Sequence, residues 1–266
     1  MTWAGLYAPT ICPSACRGIK PLPQLDPAIF SARFAAAAQA AGFTGEKFGS
    51  VEGDVLFAYV KRAAGRPTAY LSAGVHGDEP APPWALLQLL ENGSFDDRCS
   101  WFLCPLINPS GFRRGTRENF AGIDLNRDYK ALRSAEVCAH VAWLRRQPPF
   151  DVAFCLHEDW EARGFYLYEL NPGNRPTLAG TMLEAARAHC PIETATVIDG
   201  RESAEPGIIR PVSDPLLRES WPEAIYLRQH HGDLQYTIES PSAFPLEQRI
   251  ATLRAAITAA LDEFRR

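Results

Sequence analysis

The stretch TAYLSAGVHGDEPAPPWALLQLLENG (68–93) contains a short apolar run, a polar loop and a helical pattern, in that order. The run at 68–75 is rich in β-forming residues and has the length of a strand. The segment at 83–93 has the apolar spacing of a helix and ends at a glycine. This stretch therefore predicts a strand–loop–helix unit with the residues HGDE (76–79) in the loop.

The same alternation continues along the chain. Three more apolar runs have strand length: SWFLCPLI (100–107), DVAFCL (151–156) and LQYTI (234–238). Helical patterns lie at 26–42, 134–147, 176–190 and 245–266, the first with Asp26 as its N-cap and Gly42 as its end. Strands that alternate with helices predict an α/β fold, with helix layers on both faces of a mixed, twisted central sheet.

No linker, internal repeat or low-complexity segment divides the 266 residues, so residues 1–266 are predicted to form a single domain. The proline-containing segment 205–222 is predicted to be an ordered loop near a site or on the surface. The formal net charge is −4 and no run of Lys or Arg stands out. Nucleic acids and anionic membranes are therefore not expected as main partners.

Two features of the sequence predict a cytoplasmic location. The start of the chain lacks the basic and apolar regions of a secretory signal, and no apolar run is long enough to span a membrane. The seven cysteines are an odd, dispersed set, and Cys104, Cys138 and Cys155 lie in apolar contexts that predict buried, reduced thiols. Cys12 and Cys16 lack the second pair that a four-cysteine zinc site needs, so no site is assigned there.

Polar residues follow all four predicted strands. His76 and Glu79 follow the first, Asn108 the second, His157 the third and Glu239 the fourth. In open α/β sheets, ligands bind outside the carboxyl ends of the strands. A site assembled from several strand ends is therefore expected at one edge of this sheet.

The spacing His76-x-x-Glu79 suits a metal site, because two ligands three residues apart can reach one ion from a tight turn. Catalytic zinc takes three protein ligands, often two histidines and a glutamate, and keeps one position open for water. His157 is the best candidate for the third ligand. His230 and His231, in a predicted loop before the last strand, rank second.

Hydrolysis at zinc also needs a group that takes up a proton and passes it to the leaving amine. Glu239 suits this role, and Glu158 competes for it or supports a ligand instead. The segment NPSGFRRGTRENFAGIDLNRDY (108–129) is rich in Arg and Asn. Its Arg117 and Arg127 suit a substrate carboxylate, and an arginine can also polarise a scissile carbonyl group.

Four motifs together resemble the zinc carboxypeptidase superfamily. They are AGVHGDEPA (73–81), INPSGFRRGTRENFAGIDLNRDY (107–129), CLHEDW (155–160) and YTIESPS (236–242), and they occur in the family's order. This superfamily includes metallocarboxypeptidases, bacterial murein-peptide amidases and the succinylglutamate desuccinylase/aspartoacylase branch. The shortness of the chain favours the bacterial-type cytoplasmic branches.

The resemblance implies one zinc ion per chain, bound by His76, Glu79 and His157. Glu239 would activate the zinc-bound water as general base and then protonate the leaving amine. Arg117 would polarise the scissile carbonyl and stabilise its oxyanion.

The resemblance also implies roles for the segment around the sequence DLNR. Asn126 and Arg127 would hold the substrate's terminal carboxylate, and Asp124 would orient a zinc-bound histidine. Carboxypeptidases of this type also have a tyrosine that closes over the substrate. Four tyrosines lie in the expected interval without a recognisable motif: Tyr166, Tyr168, Tyr226 and Tyr236.

The expected activity is hydrolysis of an amide or peptide bond adjacent to a free carboxylate, on a small peptide or an acyl-amino acid. An N-acyl-amino-acid deacylase with the same metal is the first alternative. A non-catalytic binding protein that retains the fold is the second. The sequence has no G-x-S-x-G motif, which disfavours a serine hydrolase.

Overall fold

The structure, a computed structural model, describes residues 26–211 and 214–266. The start of the chain, including Cys12 and Cys16, lies outside these residues. The helices are α1 Pro27–Ala40, α2 Ala81–Glu91, α3 Pro109–Arg114, α4 Ala135–Leu144, α5 Ala179–Arg187, α6 Glu223–His230 and α7 Leu246–Phe264. The strands are β1 Thr44–Val51, β2 Asp54–Lys61, β3 Thr68–Ser72, β4 Ser100–Cys104, β5 Val152–Asp159, β6 Tyr166–Leu170, β7 Val197–Ile198, β8 Arg201–Glu202, β9 Ile208–Ile209 and β10 Gln235–Pro241.

Eight of the strands form one mixed sheet in the order β1-β2-β4-β3-β5-β10-β6-β9. Its centre is parallel, because β4, β3, β5 and β10 pair in the same direction. The chain leaves β3 towards β4 on one side and reaches β5 on the other. Such a reversal of strand order opens a crevice at the carboxyl ends of the strands, which is where ligands bind in α/β sheets.

Alternate residues of the central strands enter two separate cores. Leu71 and Phe154 belong to a core that also contains residues of α1, α2, α5 and α7. Tyr70 and Cys155 belong to a second core, on the other face, with residues of α4 and α6. Since successive side chains of a strand point to opposite faces, both faces of the sheet are covered by helices. The predicted α/β/α architecture is therefore confirmed.

The four predicted strands and five predicted helices are present with shifted ends. Asp26 caps α1 as predicted, because its Oδ1 accepts the N–H of Ala28 at 2.8 Å. His157 and Glu239, expected just beyond their strands, lie inside β5 and β10. Cys138 was expected to be buried, but it is exposed on α4 because it points away from the core.

Several elements were not predicted: the hairpin of β1 and β2, strand β6, and helices α3 and α6. Segment 205–222 contains the short strand β9 and a 3-10 turn at Pro215–Leu217, and its residues 212 and 213 are not described. Among the described residues, no helix is both long and apolar enough to cross a membrane.

Candidate metal centre and active site

The loop after β3 carries His76 and Glu79, and Gly77 between them fixes its path. The N–H of Gly77 donates to the carbonyl oxygen of Thr116 at 3.0 Å. A Cβ atom at position 77 would lie 1.8 Å from the carbonyl carbon of Gly111. Only glycine allows the two backbones to approach this closely, so the tight turn requires the glycine of the HGDE motif.

His76, Glu79 and His157 form a buried cluster. The Nδ1 atom of His76 lies 2.6 Å from Oε1 of Glu79, and Nδ1 of His157 lies 2.9 Å from Oε2 of the same carboxylate. One ligand atom from each residue lies within 4.8 Å of the other two. Two imidazoles and one carboxylate are a donor set that zinc takes in catalytic sites. The predicted ligands are therefore brought together, and the cluster can hold a metal ion.

Asp124 supports this cluster from the side. Its Oδ1 accepts the N–H of Asn126, and this hydrogen bond caps a 3-10 turn at Leu125–Arg127. The same Oδ1 atom lies 3.1 Å from Nε2 of His76. Its Oδ2 accepts the Nε–H of Arg117 at 3.0 Å. With Nε2 of His76 donating to Asp124, Nδ1 is left to face the cluster as a ligand.

The charges and the burial of the cluster shift the pKa values of all three of its residues. Burial opposes the charge on His76, but Glu79 and Asp124 outweigh it and raise the pKa of His76 to about 9. Burial likewise opposes the charge on Glu79, but the two histidines hold the pKa of Glu79 below its usual range. Burial lowers the pKa of His157. His157 and Glu79 thus have the protonation states that a metal ion requires of its ligands, whereas His76 must release a proton when a metal binds.

Glu239 lies beside the cluster. Its backbone pairs with that of His157 on β5 and with that of Tyr166 on β6. Burial and the nearby carboxylate of Glu79 raise the pKa of Glu239 well above its usual range. Burial also raises the pKa of the competing Glu158, to about 8, but both of its carboxyl oxygens accept hydrogen bonds from Nη1 of Arg249 at 2.9 Å, so the group is held by α7.

Asn126 and Arg127 follow Asp124 in the 3-10 turn. The side-chain Oδ1 of Asn126 accepts the N–H of Glu223 at 2.9 Å, and its Nδ2 lies 3.5 Å from Nε2 of His157. The amide oxygen of Asn126 is thus engaged within the protein, and its amide nitrogen is left to donate. Arg127 donates from Nη1 to the carbonyl oxygen of Asn126 at 2.9 Å and is otherwise exposed.

A cavity of about 270 Å³ contains this site. All predicted site residues except Asp124 line it: His76, Glu79, Arg117, Asn126, Arg127, His157 and Glu239. Further lining residues include Trp160, Tyr166, Tyr168, Asp199, Arg201 and Arg218. Two of the four tyrosines considered for closing over the substrate, Tyr166 and Tyr168, therefore lie at the cavity, whereas no motif pointed to Asp199, Arg201 or Arg218.

The remaining candidates lie elsewhere. His231 stacks on Phe150, with ring centroids 5.0 Å apart, and Phe150 lies before the start of β5. His230 and His231 thus lie near the amino ends of the parallel strands, at the opposite end from the cluster. Tyr226 lies on α6 and packs into the core of one face of the sheet, and Tyr236 stacks on Phe154 in the core of the other face.

Residues 65–259 match the succinylglutamate desuccinylase/aspartoacylase catalytic domain. A structure from Shewanella amazonensis, of a protein proposed to be a metallopeptidase, is 26% identical with a TM-score of 0.78, over 90% of this chain and 94% of that one. A protein from Shewanella baltica with the same proposed activity is 25% identical, with a TM-score of 0.77, over 90% and 93% of the two chains.

The metallo-carboxypeptidase of Burkholderia cenocepacia is 20% identical, with a TM-score of 0.64, and the match covers 88% of this chain and 68% of that one. At that identity the likeness concerns the fold alone. Among curated protein sequences, none matches this chain.

Proposed function

Since the chain belongs to the succinylglutamate desuccinylase/aspartoacylase family, we propose that it is a zinc-dependent hydrolase of an amide bond adjacent to a free carboxylate. One observation carries this proposal. The cavity brings together a two-histidine, one-glutamate cluster, a glutamate of raised pKa and Arg127. These are a metal site, a proton acceptor and a cation for a carboxylate, the three parts that such a reaction needs.

His76, Glu79 and His157 would hold one zinc ion per chain, because their donor set is that of catalytic zinc sites. When bound, zinc polarises a carbonyl group and lowers the pKa of water to about 7.

Glu239 would take up a proton as the water attacks the amide and deliver it to the leaving nitrogen. Its carboxyl group lines the cavity beside His157 and does not belong to the ligand cluster, so it can accept a proton and then return it. Arg117, held by Asp124, would donate to the carbonyl oxygen as that atom becomes negative.

Arg127 and the amide nitrogen of Asn126 would bind the carboxylate next to the cleaved bond. A guanidinium group can hold a carboxylate with two parallel hydrogen bonds. Arg127 has the freedom for this, because within residues 26–211 and 214–266 its side chain donates only to the carbonyl oxygen of Asn126.

Two substrate classes share this chemistry. The likeness to Shewanella proteins proposed to be metallopeptidases supports a short peptide as the substrate of this chain. The family match supports an N-acyl-amino acid. The cleaved bond is an amide in both classes, so the two classes differ only in the groups beside that bond that the cavity must accommodate. We propose a small substrate of one of these classes rather than a nucleic acid or a membrane.

The five described cysteines are Cys99, Cys104, Cys138, Cys155 and Cys190, and all are free thiols. Free thiols are typical of proteins in a reducing compartment. This supports a cytoplasmic location for the proposed reaction.

Metal analysis paired with a substrate panel tests the proposal, on protein purified without a histidine tag. The panel holds short peptides with free and amidated C-termini, γ-glutamyl-linked murein peptides, and N-acetyl and N-succinyl amino acids. We expect one zinc ion per chain and chelator-sensitive cleavage of one class of free-carboxylate substrates. A protein that binds no metal and cleaves nothing after metal reloading would instead be a binding protein that retains the fold.

A further inference from the structure

The start of helix α6 forms part of the wall of the cavity. Pro222, Ala224 and Ile225 line the cavity, whereas Glu223, which lies between them in the sequence, is buried in the protein. Pro222 makes no side-chain hydrogen bond that caps the helix. Other contacts must therefore hold the first residue of α6 in place, and the function proposed above gives the side chain of that residue no role.

The side chain of Glu223 is tied to the central sheet. Its Oε1 accepts the hydroxyl hydrogen of Tyr70 at 2.6 Å, and its Oε2 accepts that of Ser72 at 2.8 Å. Both donors lie on β3. Because the hydroxyl group of Tyr70 donates to Glu223, its oxygen is left to accept from Nε2 of the buried His140, at 3.0 Å. Both carboxyl oxygens are thus engaged, and they fix the start of α6 relative to β3.

The backbone of the same residue reaches the proposed substrate site. The N–H of Glu223 donates to Oδ1 of Asn126 at 2.9 Å. A side-chain amide has its acceptor on one arm and its donors on the other, so this bond directs Nδ2 of Asn126 away from α6. That nitrogen lies 3.5 Å from Nε2 of His157, and Asn126 lines the cavity. Hydrogen bonds through Glu223 thus connect β3 to the residue that is assigned to the substrate carboxylate.

Stability alone does not explain why this buried residue is an acid. Within residues 26–211 and 214–266, no Lys or Arg forms an ion pair with Glu223. Burial of a carboxyl group costs free energy, and apolar groups of the same shape can often replace a buried hydrogen-bonded pair with little loss. An apolar side chain makes no directed hydrogen bond, so it could not hold the backbone N–H at a set position between β3 and Asn126.

We propose that Glu223 is a positioning residue for the substrate carboxylate and that it acts through Asn126. Its bonds to the two hydroxyl groups hold its backbone N–H, and this N–H orients the amide of Asn126 so that Nδ2 donates into the cavity. The inference rests on the proposed function, because the role of Asn126 is assigned there. Glu223 itself does not touch the substrate, and its role requires hydrogen bonds rather than a charge.

Four variants separate this role from a purely structural one. Glu223→Ala removes the tie to β3, whereas Glu223→Gln keeps a side chain that can bond to both hydroxyl groups. Ser72→Ala removes one donor and provides the test if Glu223→Ala does not fold. Tyr129→Phe is the matched control, because it removes a buried hydroxyl group whose partner is Nδ1 of His140, at 2.8 Å. Thermal unfolding checks that each variant is folded.

The first readout needs neither metal nor turnover. It is NMR of the isotope-labelled, metal-free protein, with the side-chain amide signals of Asn126 identified by their loss in Asn126→Ala. In Glu223→Ala, the protection factor of the backbone amide at position 223 should fall at least about tenfold, as expected when a hydrogen bond is lost. The amide signals of Asn126 should move in the same variant. Ser72→Ala should change both quantities in the same direction, whereas Glu223→Gln and Tyr129→Phe should keep the protection factor within about threefold of wild type.

The second readout is kinetic, on the panel substrate that is cleaved and on its form amidated at the carboxylate. Glu223→Ala should raise KM for the free carboxylate about tenfold with little change in kcat, because this contact binds ground state and transition state alike. The amidated form should change less than about threefold, and Glu223→Gln should restore the wild-type values. Glu223→Ala added to Asn126→Ala should cause no further loss, because the two residues act as one unit.

Unchanged protection and unchanged Asn126 signals in folded Glu223→Ala would overturn the proposal, and so would additive losses in the double variant. Equal losses in Glu223→Ala and Glu223→Gln would also overturn it, because the charge would then be required. If the amide of Asn126 moves as expected but the wild type cleaves nothing, the proposed function alone fails. If the wild type cleaves free-carboxylate substrates and the amide keeps its place in Glu223→Ala, the positioning role alone fails.

Discussion

Glu239 and His157 face each other across the parallel strands β10 and β5, as directly paired residues of the sheet. Paired residues of adjacent strands direct their side chains to the same face. The carboxyl group of Glu239 therefore lies beside a ligand of the proposed metal without belonging to the ligand cluster. A proton-transfer group needs this relationship, because it must reach the reacting atoms and remain free of the metal.

Glu239→Gln should retain zinc and lose at least about a hundredfold in turnover, the lower end for general acid–base catalysis. The amide keeps the shape of the side chain but cannot accept the proton. Turnover on the cleaved substrate and zinc content are measured on the same preparation.

Glu158→Gln is the matched control. It breaks the buried pair with Arg249, so we expect it to lower the free energy of unfolding by about 3 kcal/mol and to affect turnover of the folded protein less. If the two variants exchanged these phenotypes, Glu158 would be the proton acceptor.

His157→Ala should lose stoichiometric zinc, because two protein ligands remain where three are needed. His230→Ala changes an exposed histidine at the end of α6 and should retain full zinc content. Elemental analysis after dialysis against limiting zinc gives both numbers. Full zinc content in His157→Ala would require a different third ligand.

The fold was predictable where strands are buried on both faces. Strands β3, β4, β5 and β10 appear in the sequence as continuous apolar runs because helices cover both sides of them. Strand β1, with the sequence TGEKFGSV, lies at the edge of the sheet and is largely exposed. Because most of its residues are polar, β1 has no apolar run in the sequence. Its partner β2 was missed with it.

The metal cluster of the candidate site was predictable from short spacings at strand ends, as for His76 and Glu79. The cavity residues that lie between α5 and α6 in the sequence were not predictable. Arg201 and Arg218 reach the cavity because the segment between α5 and α6 folds back over the carboxyl ends of the strands. That path depends on contacts between residues distant in sequence, which spacing and periodicity do not contain.

Asp124→Asn should weaken zinc binding by about tenfold or more, the usual effect of losing a group that orients a metal ligand. The variant keeps an oxygen near Nε2 of His76 but loses the charge that also holds Arg117. A competition titration with a chelating dye measures the affinity. Affinity equal to that of the wild type would show that His76 needs no support from this residue.

Arg127→Ala should reduce kcat/KM for free-carboxylate substrates by about tenfold or more, because a charge-assisted contact is lost. Substrates amidated at that carboxylate should be affected little, since they offer no charge to bind. Parallel kinetics on the two forms of one substrate provide the comparison. Equal losses on both forms would reject Arg127 as the anchor of the carboxylate.

Glu223 predicts a pH dependence of stability that is separate from the metal. Its side chain is fully buried beneath the site, where it accepts hydrogen bonds from the hydroxyl groups of Tyr70 at 2.6 Å and Ser72 at 2.8 Å. Burial raises the pKa of Glu223 to about 7, against about 4.3 in an unfolded chain. Between these two values the folded protein holds a proton that the unfolded chain has lost. The free energy of unfolding should therefore fall as the pH rises through this range and level off above it.

Glu223→Gln removes the ionisation and keeps a neutral side chain of similar size. In metal-free protein, the loss of unfolding free energy between about pH 5 and about pH 8 should be smaller by about 2 kcal/mol in the variant than in wild type. Urea unfolding at both pH values measures it. Glu184→Gln, which removes an exposed carboxylate, should follow the wild type. Parallel pH curves for wild type and Glu223→Gln would mean that Glu223 is already ionised at the lower pH, stabilised by its two hydroxyl donors.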